Sequence, residues 1–300
     1  MKTPAQQGAV PLRLFDPEKG GLAFRLDPLE DGILSEPQRF NYFTVVWVRE
    51  GHGEFHPDLA GYRFQAPTLL FGNPYQTVFV SPLSPLRGTV LQFHANFFCI
   101  EAHHEEVGCN GVLFNDLYGH PMVVIGEAAV AEITGLMDQM EEEYRNAGVA
   151  QSELLVSLLK ILLIKAARLK LDQLTSPAVA GGAGKSPRLA RLVELIERHY
   201  RILHRPHEYA ALLAMTPKAL GKLTKQHFGR TLTELIRERL LKHAKWQLLH
   251  TVRPVKEIAA EVGFGDELYF SRLFKSATGF SPSSFREFET AIRKGSNLSM

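Results

Sequence analysis

The sequence predicts an α+β protein of two domains, the first rich in strands and the second entirely helical. Strand-length apolar runs fill residues 12–124, and helical periodicity takes over from residue 127. A segment with no periodicity, residues 175–187, holds three glycines and two prolines and is typical of a flexible linker. The chain of 300 residues, 45% of them hydrophobic, is long enough for two cores. We therefore predict domains over residues 1–174 and 188–293.

Charge divides along the same boundary. Residues 185–300 hold 21 Lys and Arg against 11 Asp and Glu, a net charge of +10, whereas the rest of the chain carries −8. A basic domain suits a polyanion, and an acidic domain should avoid one. The second domain is thus predicted to bind nucleic acid.

Strands of the first domain are predicted from four runs rich in β-branched and aromatic residues: "FTVVWVREG", "YRFQAPTLLF", "QTVFVSP" and "GTVLQFH". Strands at this spacing, separated by turn residues, favour a sandwich or a small barrel. Residues 127–174 then show two amphipathic helices joined near Gly148, which predicts a helical hairpin. The hairpin can cover the sheet of its own domain, form a dimer seam through Leu154, Leu158 and Leu162, or do both.

Several classes of protein are disfavoured by what the sequence contains. Cys99 and Cys109 are the two cysteines, too few for a secreted disulfide scaffold in a chain of this length. The first residues, "MKTPAQQGAVPLRLF", hold no apolar signal segment. The most apolar helix candidate is interrupted by Lys160 and Lys165 and is too short to span a bilayer. We expect a cytoplasmic protein with no membrane partner.

An internal duplication marks the second domain. "YAALLAMTPKALGKLTKQHFGRT" and "IAAEVGFGDELYFSRLFKSATGF" each predict a short helix with small residues, a tight turn, a capped helix and a terminal glycine. The caps are Thr216 and Asp266, and the terminal glycines are Gly229 and Gly279. Helix pairs of this kind are helix-turn-helix units, whose second helix fits the major groove of DNA. Two such units in one basic segment predict a DNA-binding domain.

Residues 188–290 resemble the DNA-binding domain of the AraC/XylS family of bacterial transcription regulators. The segment "IAAEVGFGDELYFSRLFKSATGFSPSSFR" matches the family pattern at Ile258, Ala259, Gly263, Phe264, Tyr269, Phe270, Phe274, Gly279, Pro282 and Arg286. The helix between the two units is similar at Arg239, Ala244, Lys245 and Leu249. The resemblance implies seven helices, with both recognition helices in successive major-groove segments. Gly221 and Thr224 depart from the pattern in the first unit.

Candidate DNA contacts follow from side-chain chemistry on the two recognition helices. Lys218 and Lys222 can donate to guanine or to phosphate, Glu267 can accept from cytosine, and Arg272 can bind guanine or phosphate. The predicted phosphate anchors are Lys225, Ser271 and Lys275, and Leu268 completes the predicted set. Tyr269, Phe270 and Phe274 are predicted to lie in the core.

The first domain is similar to the sensor arrangement of the same family, a cupin-like β-barrel followed by a helical hairpin that dimerises. This implies a small-molecule effector in the barrel, a homodimer, and RNA polymerase as a further candidate partner. The predicted effector-binding residues are Trp47, His56, Phe71, His94, Glu101 and His104. The sequence leaves the effector, the operator, and the choice between activation and repression open.

A metal site is the sharper alternative for the stretch "QFHANFFCIEAHHEEVGCN", which holds His94, Cys99, Glu101, His103, His104, Glu106 and Cys109. Zinc uses these ligand types, but the spacing matches no standard zinc pattern. The His-x-His pair of cupin enzymes is missing, since His52 and His56 lie four residues apart. We therefore predict no metal, no cofactor and no enzymatic activity. The alternative function is a cupin-type metal-dependent enzyme fused to a DNA-binding domain.

Overall fold

The computed structural model describes residues 10–58, 60–98, 111–114, 117–146, 148–175 and 187–293. Contacts divide the chain into two compact units. The first comprises residues 1–116 and 121–175, and the second comprises residues 117–120 and 176–300. Most of the linker predicted over residues 175–187 lies outside the described residues. The α+β prediction is confirmed, because the first unit contains two sheets and a helical hairpin and the second is helical.

The described residues of the first unit form ten strands: β1 Leu12–Arg13, β2 Phe24–Pro28, β3 Gln38–Phe40, β4 Phe43–Glu50, β5 His52–Pro57, β6 Tyr62–Gln65, β7 Thr68–Gly72, β8 Thr77–Pro82, β9 Arg87–Phe93 and β10 Met122–Val124. They form two five-stranded sheets, in the orders β1-β3-β8-β5-β6 and β10-β7-β4-β9-β2. All pairs are antiparallel except β1 with β3.

The two sheets do not join into a closed barrel through any strand pairing among the described residues. Proline ends three of the strands, at Pro28, Pro57 and Pro82. Because proline has no backbone N–H, it cannot donate to a further hydrogen bond of the ladder, and each of these strands ends there. The edge strands β1 and β6 of one sheet do not pair with the edge strands β10 and β2 of the other, so the described residues form two sheets where the family resemblance implies a barrel.

A helical hairpin covers one face of the second sheet. Its helices are α1 Glu127–Arg145 and α2 Gln151–Thr175. Alternate strand residues meet them, because successive side chains of a strand point to opposite faces. Among the residues of this shared core are Val45, Trp47, Leu69, Phe71, Leu91, Phe93, Ile133, Met137, Leu159 and Leu163. The hairpin thus packs on its own domain.

The leucines proposed for a dimer seam divide into two groups. Leu158 and Leu162 are 7% and 1% exposed and belong to the core that the hairpin shares with its own sheet, so neither is available to a dimer seam. Leu154 is 46% exposed, and Ile161, one heptad further along the helix, is 41% exposed. The apolar stripe of α2 is therefore wider than the part that its own sheet covers.

Seven helices make up the described part of the second unit after residue 187: α3 Pro187–His199, α4 Pro206–Leu212, α5 Pro217–Phe228, α6 Leu232–His250, α7 Val255–Glu261, α8 Glu267–Thr278 and α9 Pro282–Ile292. Two helix-turn-helix pairs, α4–α5 and α7–α8, are separated by the continuous helix α6. Within the described ranges, no helix combines the length and the apolar composition that crossing a bilayer requires.

Candidate DNA-binding surface

The two recognition helices, α5 and α8, begin and end in the same way. The Thr216 hydroxyl accepts a hydrogen bond from the Ala219 N–H at 3.2 Å, and the Asp266 carboxylate accepts one from the Leu268 N–H at 2.8 Å. Each helix has 12 residues and ends at a glycine in the left-handed region, with φ of 65° at Gly229 and 88° at Gly279. Positions in the two helices therefore correspond one to one.

The buried faces of these helices differ in their packing. In α8, Phe270 and Phe274 are fully buried, with their ring centroids 5.8 Å apart, and Phe274 meets Phe285 of α9 at 5.3 Å. Thr224 of α5 occupies the position equivalent to Phe274, and its hydroxyl donates to the Gly221 carbonyl at 3.1 Å. The departure at Thr224 thus concerns the buried core of the first helix-turn-helix pair and not its DNA-facing side.

The exposed faces carry the predicted contacts. Exposed side chains on α5 and α8 include Lys218, Lys222, Lys225, Glu267, Leu268, Arg272 and Lys275, whereas Ser271 is partly buried. Across the part of the chain that the structure describes, none of the five basic residues in this set forms an ion pair. Their charge is therefore available to phosphate, and we name this set, with Ser271, the recognition face.

Other arginines of the unit hold the scaffold together. Arg239 donates to Glu197 at 2.8 Å, and Arg230 and Arg253 pair with Glu238 and Glu261. The hydrogen bond that Arg253 donates to Glu261 is the main cause of the raised pKa of Arg253. These cations already have carboxylate partners, which distinguishes them from the recognition face.

Tyr269 differs from its prediction as a core residue, because it is 49% exposed. It precedes the buried Phe270 and lies at the border of the buried face, where its ring meets Phe264 at 5.9 Å. The predictions for Phe270 and Phe274 are confirmed. Successive residues of a helix are separated by about 100° around its axis. The sequence pattern therefore does not distinguish a residue at the edge of the buried face from one at its centre.

The turn that presents α8 depends on Gly263, whose φ is 90°. A Cβ at this position would lie 2.0 Å from the Arg201 carbonyl oxygen. The chain after α3 therefore packs directly against the turn of the second helix-turn-helix unit. Next to it, the His204 ring stacks on Phe264 with centroids 5.9 Å apart.

Arg286 on α9 fixes the connection between α6 and α7. Its Nε donates to the Leu248 carbonyl at 3.1 Å, and a terminal nitrogen donates to the Arg253 carbonyl at 2.7 Å. Both acceptors lie near the end of α6, where carbonyls lack partners within the helix. Burial lowers the pKa of Arg286. This side chain therefore fixes the segment that leads from α6 into α7, the first helix of the second helix-turn-helix pair.

His243 ties α6 to the end of α3. Its Nδ1 lies 3.0 Å from the Tyr200 hydroxyl, and its Nε2 lies 3.4 Å from a Glu261 carboxylate oxygen. Burial lowers the pKa of His243 more than the Glu261 charge raises it, so the imidazole is neutral at neutral pH. The residue is a structural hydrogen-bonding group that links α6 with Tyr200 and with Glu261 of α7.

The four predicted effector residues that the structure describes do not converge on one site. Trp47 and Phe71 lie in the core beneath the helical hairpin. His56 is on the other sheet and stacks on Phe79 at 4.3 Å, and the buried His94 lies 4.6 Å from the Phe15 ring. Glu101 and His104 lie outside the described residues, as does the stretch from Cys99 to Cys109. No group of three or more potential metal ligands occurs among the residues that are described.

A polar cleft in the first unit was not predicted. It has a volume of about 360 Å³ and opens between the second sheet and the C-terminal half of α1. Its lining includes Arg49, Glu50, Arg87, Thr89, Glu141, Tyr144 and Arg145. Thr89 donates to Glu141 at 2.6 Å. Nothing in the sequence pattern indicates this cleft, because its walls come from β2, β4, β9, α1 and the short helical turn at Glu30, most of which are distant in the chain.

Comparison with known proteins shows what the second unit is similar to. Residues 209–287 match a protein family described as a helix-turn-helix domain. The HTH-type transcriptional activator RhaS of Salmonella schwarzengrund (strain CVM19633) is 28% identical over 163 residues, which cover 54% of this chain and 55% of that protein. The arabinose operon regulatory protein of Escherichia coli (strain K12) is 38% identical over 74 residues, 25% of each chain.

A solved structure is also similar, the C-terminal domain of the response regulator AraT from Geobacillus stearothermophilus. It is 33% identical with a TM-score of 0.33, covering 34% of this chain and 85% of that one. This chain spans about half the length of RhaS and a quarter of the arabinose operon regulator. The family match itself lies at residues 209–287, in the C-terminal part of the chain.

Proposed function

We propose that this chain is a sequence-specific DNA-binding regulator of transcription of the AraC/XylS type, because residues 209–287 match a helix-turn-helix domain and 74 residues are 38% identical to the arabinose operon regulatory protein. The observation that carries the proposal is the recognition face. Five cations without carboxylate partners in the described structure lie on two helices of equal length, each capped by a side-chain oxygen at its start and followed by a left-handed glycine at its end. The net charge of +10 over residues 185–300 adds attraction to DNA.

The two helices have different roles in this proposal. The exposed side of α5 presents Lys218, Ala219, Gly221, Lys222 and Lys225. Such a face supplies charge to phosphates but few groups that distinguish bases. The exposed side of α8 presents Glu267, Leu268 and Arg272, which differ in chemistry and so can read different base edges. The first helix-turn-helix pair, α4–α5, would thus contribute mainly to the affinity for DNA, and the second pair, α7–α8, would carry most of the sequence specificity.

We further propose that the protein is a homodimer that responds to a small molecule and contacts RNA polymerase. Exposed Leu154 and Ile161 on α2 support the dimer. The polar cleft beside α1 supports a hydrophilic effector, since its walls combine guanidinium, carboxylate and hydroxyl groups. The naming of RhaS as a transcriptional activator supports the polymerase contact. The same relatives are named regulators, which supports a non-enzymatic function over a metal-dependent enzyme.

The test is DNA binding by the full chain as a function of salt. We expect the affinity for duplex DNA to fall steeply with salt, because phosphate neutralisation releases counterions. The double variant Lys222→Ala, Lys275→Ala should flatten the slope of log affinity against log salt by about two units. Arg191→Ala with Arg198→Ala is the matched control, since both arginines already pair with Glu194 outside the recognition face. A folded chain that does not bind duplex DNA at low salt would overturn the proposal.

A further inference from the structure

Leu268 is the apolar member of the recognition face. Its side chain is 73% exposed in the first turn of α8, where Asp266 caps the helix. A single exposed leucine is ordinary on a protein surface. This one, however, lies four residues before Arg272 and seven before Lys275, so all three project from the same side of the helix. A helix that enters the major groove with that side would carry Leu268 in with it.

The major groove offers few partners to an apolar side chain. Each base edge there displays hydrogen-bond donors or acceptors, and the C5 methyl group of thymine is the one apolar feature. We infer that Leu268 contacts a thymine methyl group, so that the second helix-turn-helix pair requires an A·T pair at that position. This inference rests on the proposed function, because it assumes that α8 lies in the major groove.

Comparison with the first unit supports a specific role for this position. The residue of α5 equivalent to Leu268 is Lys218, which is a phosphate or guanine ligand by its chemistry. The residue before Leu268 is Glu267, whose charge disfavours a nearby phosphate and directs this end of α8 towards the bases. The methyl contact is therefore expected of the second helix-turn-helix pair alone, and it adds to the chemical difference between the exposed sides of α5 and α8.

The size of the effect follows from the group removed. Burying one methyl-sized group contributes about 0.8 kcal/mol, which corresponds to about a fourfold change in affinity. Replacing thymine by deoxyuridine removes this methyl group and leaves the base-pairing and hydrogen-bonding edges unchanged. The nucleotide change thus isolates the contact from all others in the groove.

The experiment begins with a preferred duplex, selected from a random pool by the full-length protein. Each thymine is then replaced singly by deoxyuridine. We expect one replacement, in the part of the site bound by the second unit, to weaken wild-type binding about fourfold. Leu268→Ala should bind the thymine duplex more weakly and lose this discrimination. Leu268→Met should keep it, because methionine is also apolar, and Lys218→Ala should keep it as the matched control.

The outcomes separate the inference from the proposed function. If every deoxyuridine duplex binds as well as its parent, or if discrimination survives in Leu268→Ala, the methyl contact is overturned while salt-dependent DNA binding still supports the regulator. If the folded wild-type protein binds no duplex at low salt, the proposed function itself fails.

Discussion

Arg272 and Lys225 illustrate how two cations on the recognition face should differ in effect. A guanidinium presents parallel donors that match guanine O6 and N7, whereas an ammonium acts as a point charge. Arg272 is exposed beside Leu268 on α8, and Lys225 lies in the last turn of α5. We expect Arg272→Ala to cost about 1–3 kcal/mol of binding free energy on the preferred duplex and to relax preference at one or two base pairs.

Lys225→Ala should instead weaken binding to preferred and scrambled duplexes alike, and it should flatten the salt slope by about one unit. Competition titrations with both duplexes measure the two variants side by side, and each variant is the control for the other. Equal losses on both duplexes for Arg272→Ala would make that residue a phosphate anchor and contradict the assignment.

At the scale of residues, the exposure of the predicted DNA contacts on α5 and α8 could be predicted from the sequence, whereas the four effector candidates that are described do not share one site. Two helices with the same caps give Lys218 and Leu268 equivalent, exposed positions. In a strand, by contrast, neighbouring residues face opposite sides, so a one-residue difference moves a side chain between environments. Trp47 consequently lies in the hairpin core, while His56 stacks on the outer face of a different sheet.

At the scale of elements, the second helix-turn-helix pair depends on close contact at Gly263. Any side chain there would adopt a left-handed backbone conformation and would place its Cβ 2.0 Å from the Arg201 carbonyl oxygen. We expect Gly263→Ala to lower the free energy of unfolding of the second unit by more than about 2 kcal/mol, because strain and the backbone clash add together. Chemical denaturation followed by circular dichroism would measure it.

Gly265→Ala is the matched control, two residues further along the same turn. A Cβ at Gly265 would have no atom within 4 Å, and its backbone is not left-handed. Its effect should stay within about 0.5 kcal/mol. Equal unfolding midpoints for the two variants would show that the contact between Gly263 and Arg201 does not determine the stability of this unit.

The helices were predicted from the sequence more accurately than the pairing of the strands was. Caps and terminal glycines such as Thr216 and Gly229 are local signals, and the structure confirms them. Strand partners are distant in the chain, as β1 with β3 and β10 with β7 show. Their pairing depends on tertiary packing, so the runs of apolar residues favoured a sandwich or a barrel but did not give the order of the strands within each sheet.

At the scale of the whole molecule, the division of charge was visible in the sequence, whereas the free part of the hairpin surface was not. Helical periodicity marks the whole apolar stripe of α2 but does not show how much of it the sheet covers. The structure buries Leu158 and Leu162 and leaves Leu154 and Ile161 more than two-fifths exposed. Charged substitutions at Leu158 or Leu162 would therefore disrupt the core and would not report on a dimer.

The proposed homodimer is tested at the two exposed positions instead. Leu154 and Ile161 are seven residues apart, so they project from the same side of α2 and can form one apolar seam with a second copy. We expect the full chain to sediment as a dimer at micromolar concentration, and Leu154→Glu with Ile161→Glu to give a folded monomer, because two carboxylates cannot be buried in an apolar seam without partners. Gln139→Glu with Ser152→Glu adds the same charge at exposed positions outside this seam and should leave the dimer intact. A monomeric wild-type chain, or a double glutamate variant that remains dimeric, would show that α2 only covers its own sheet.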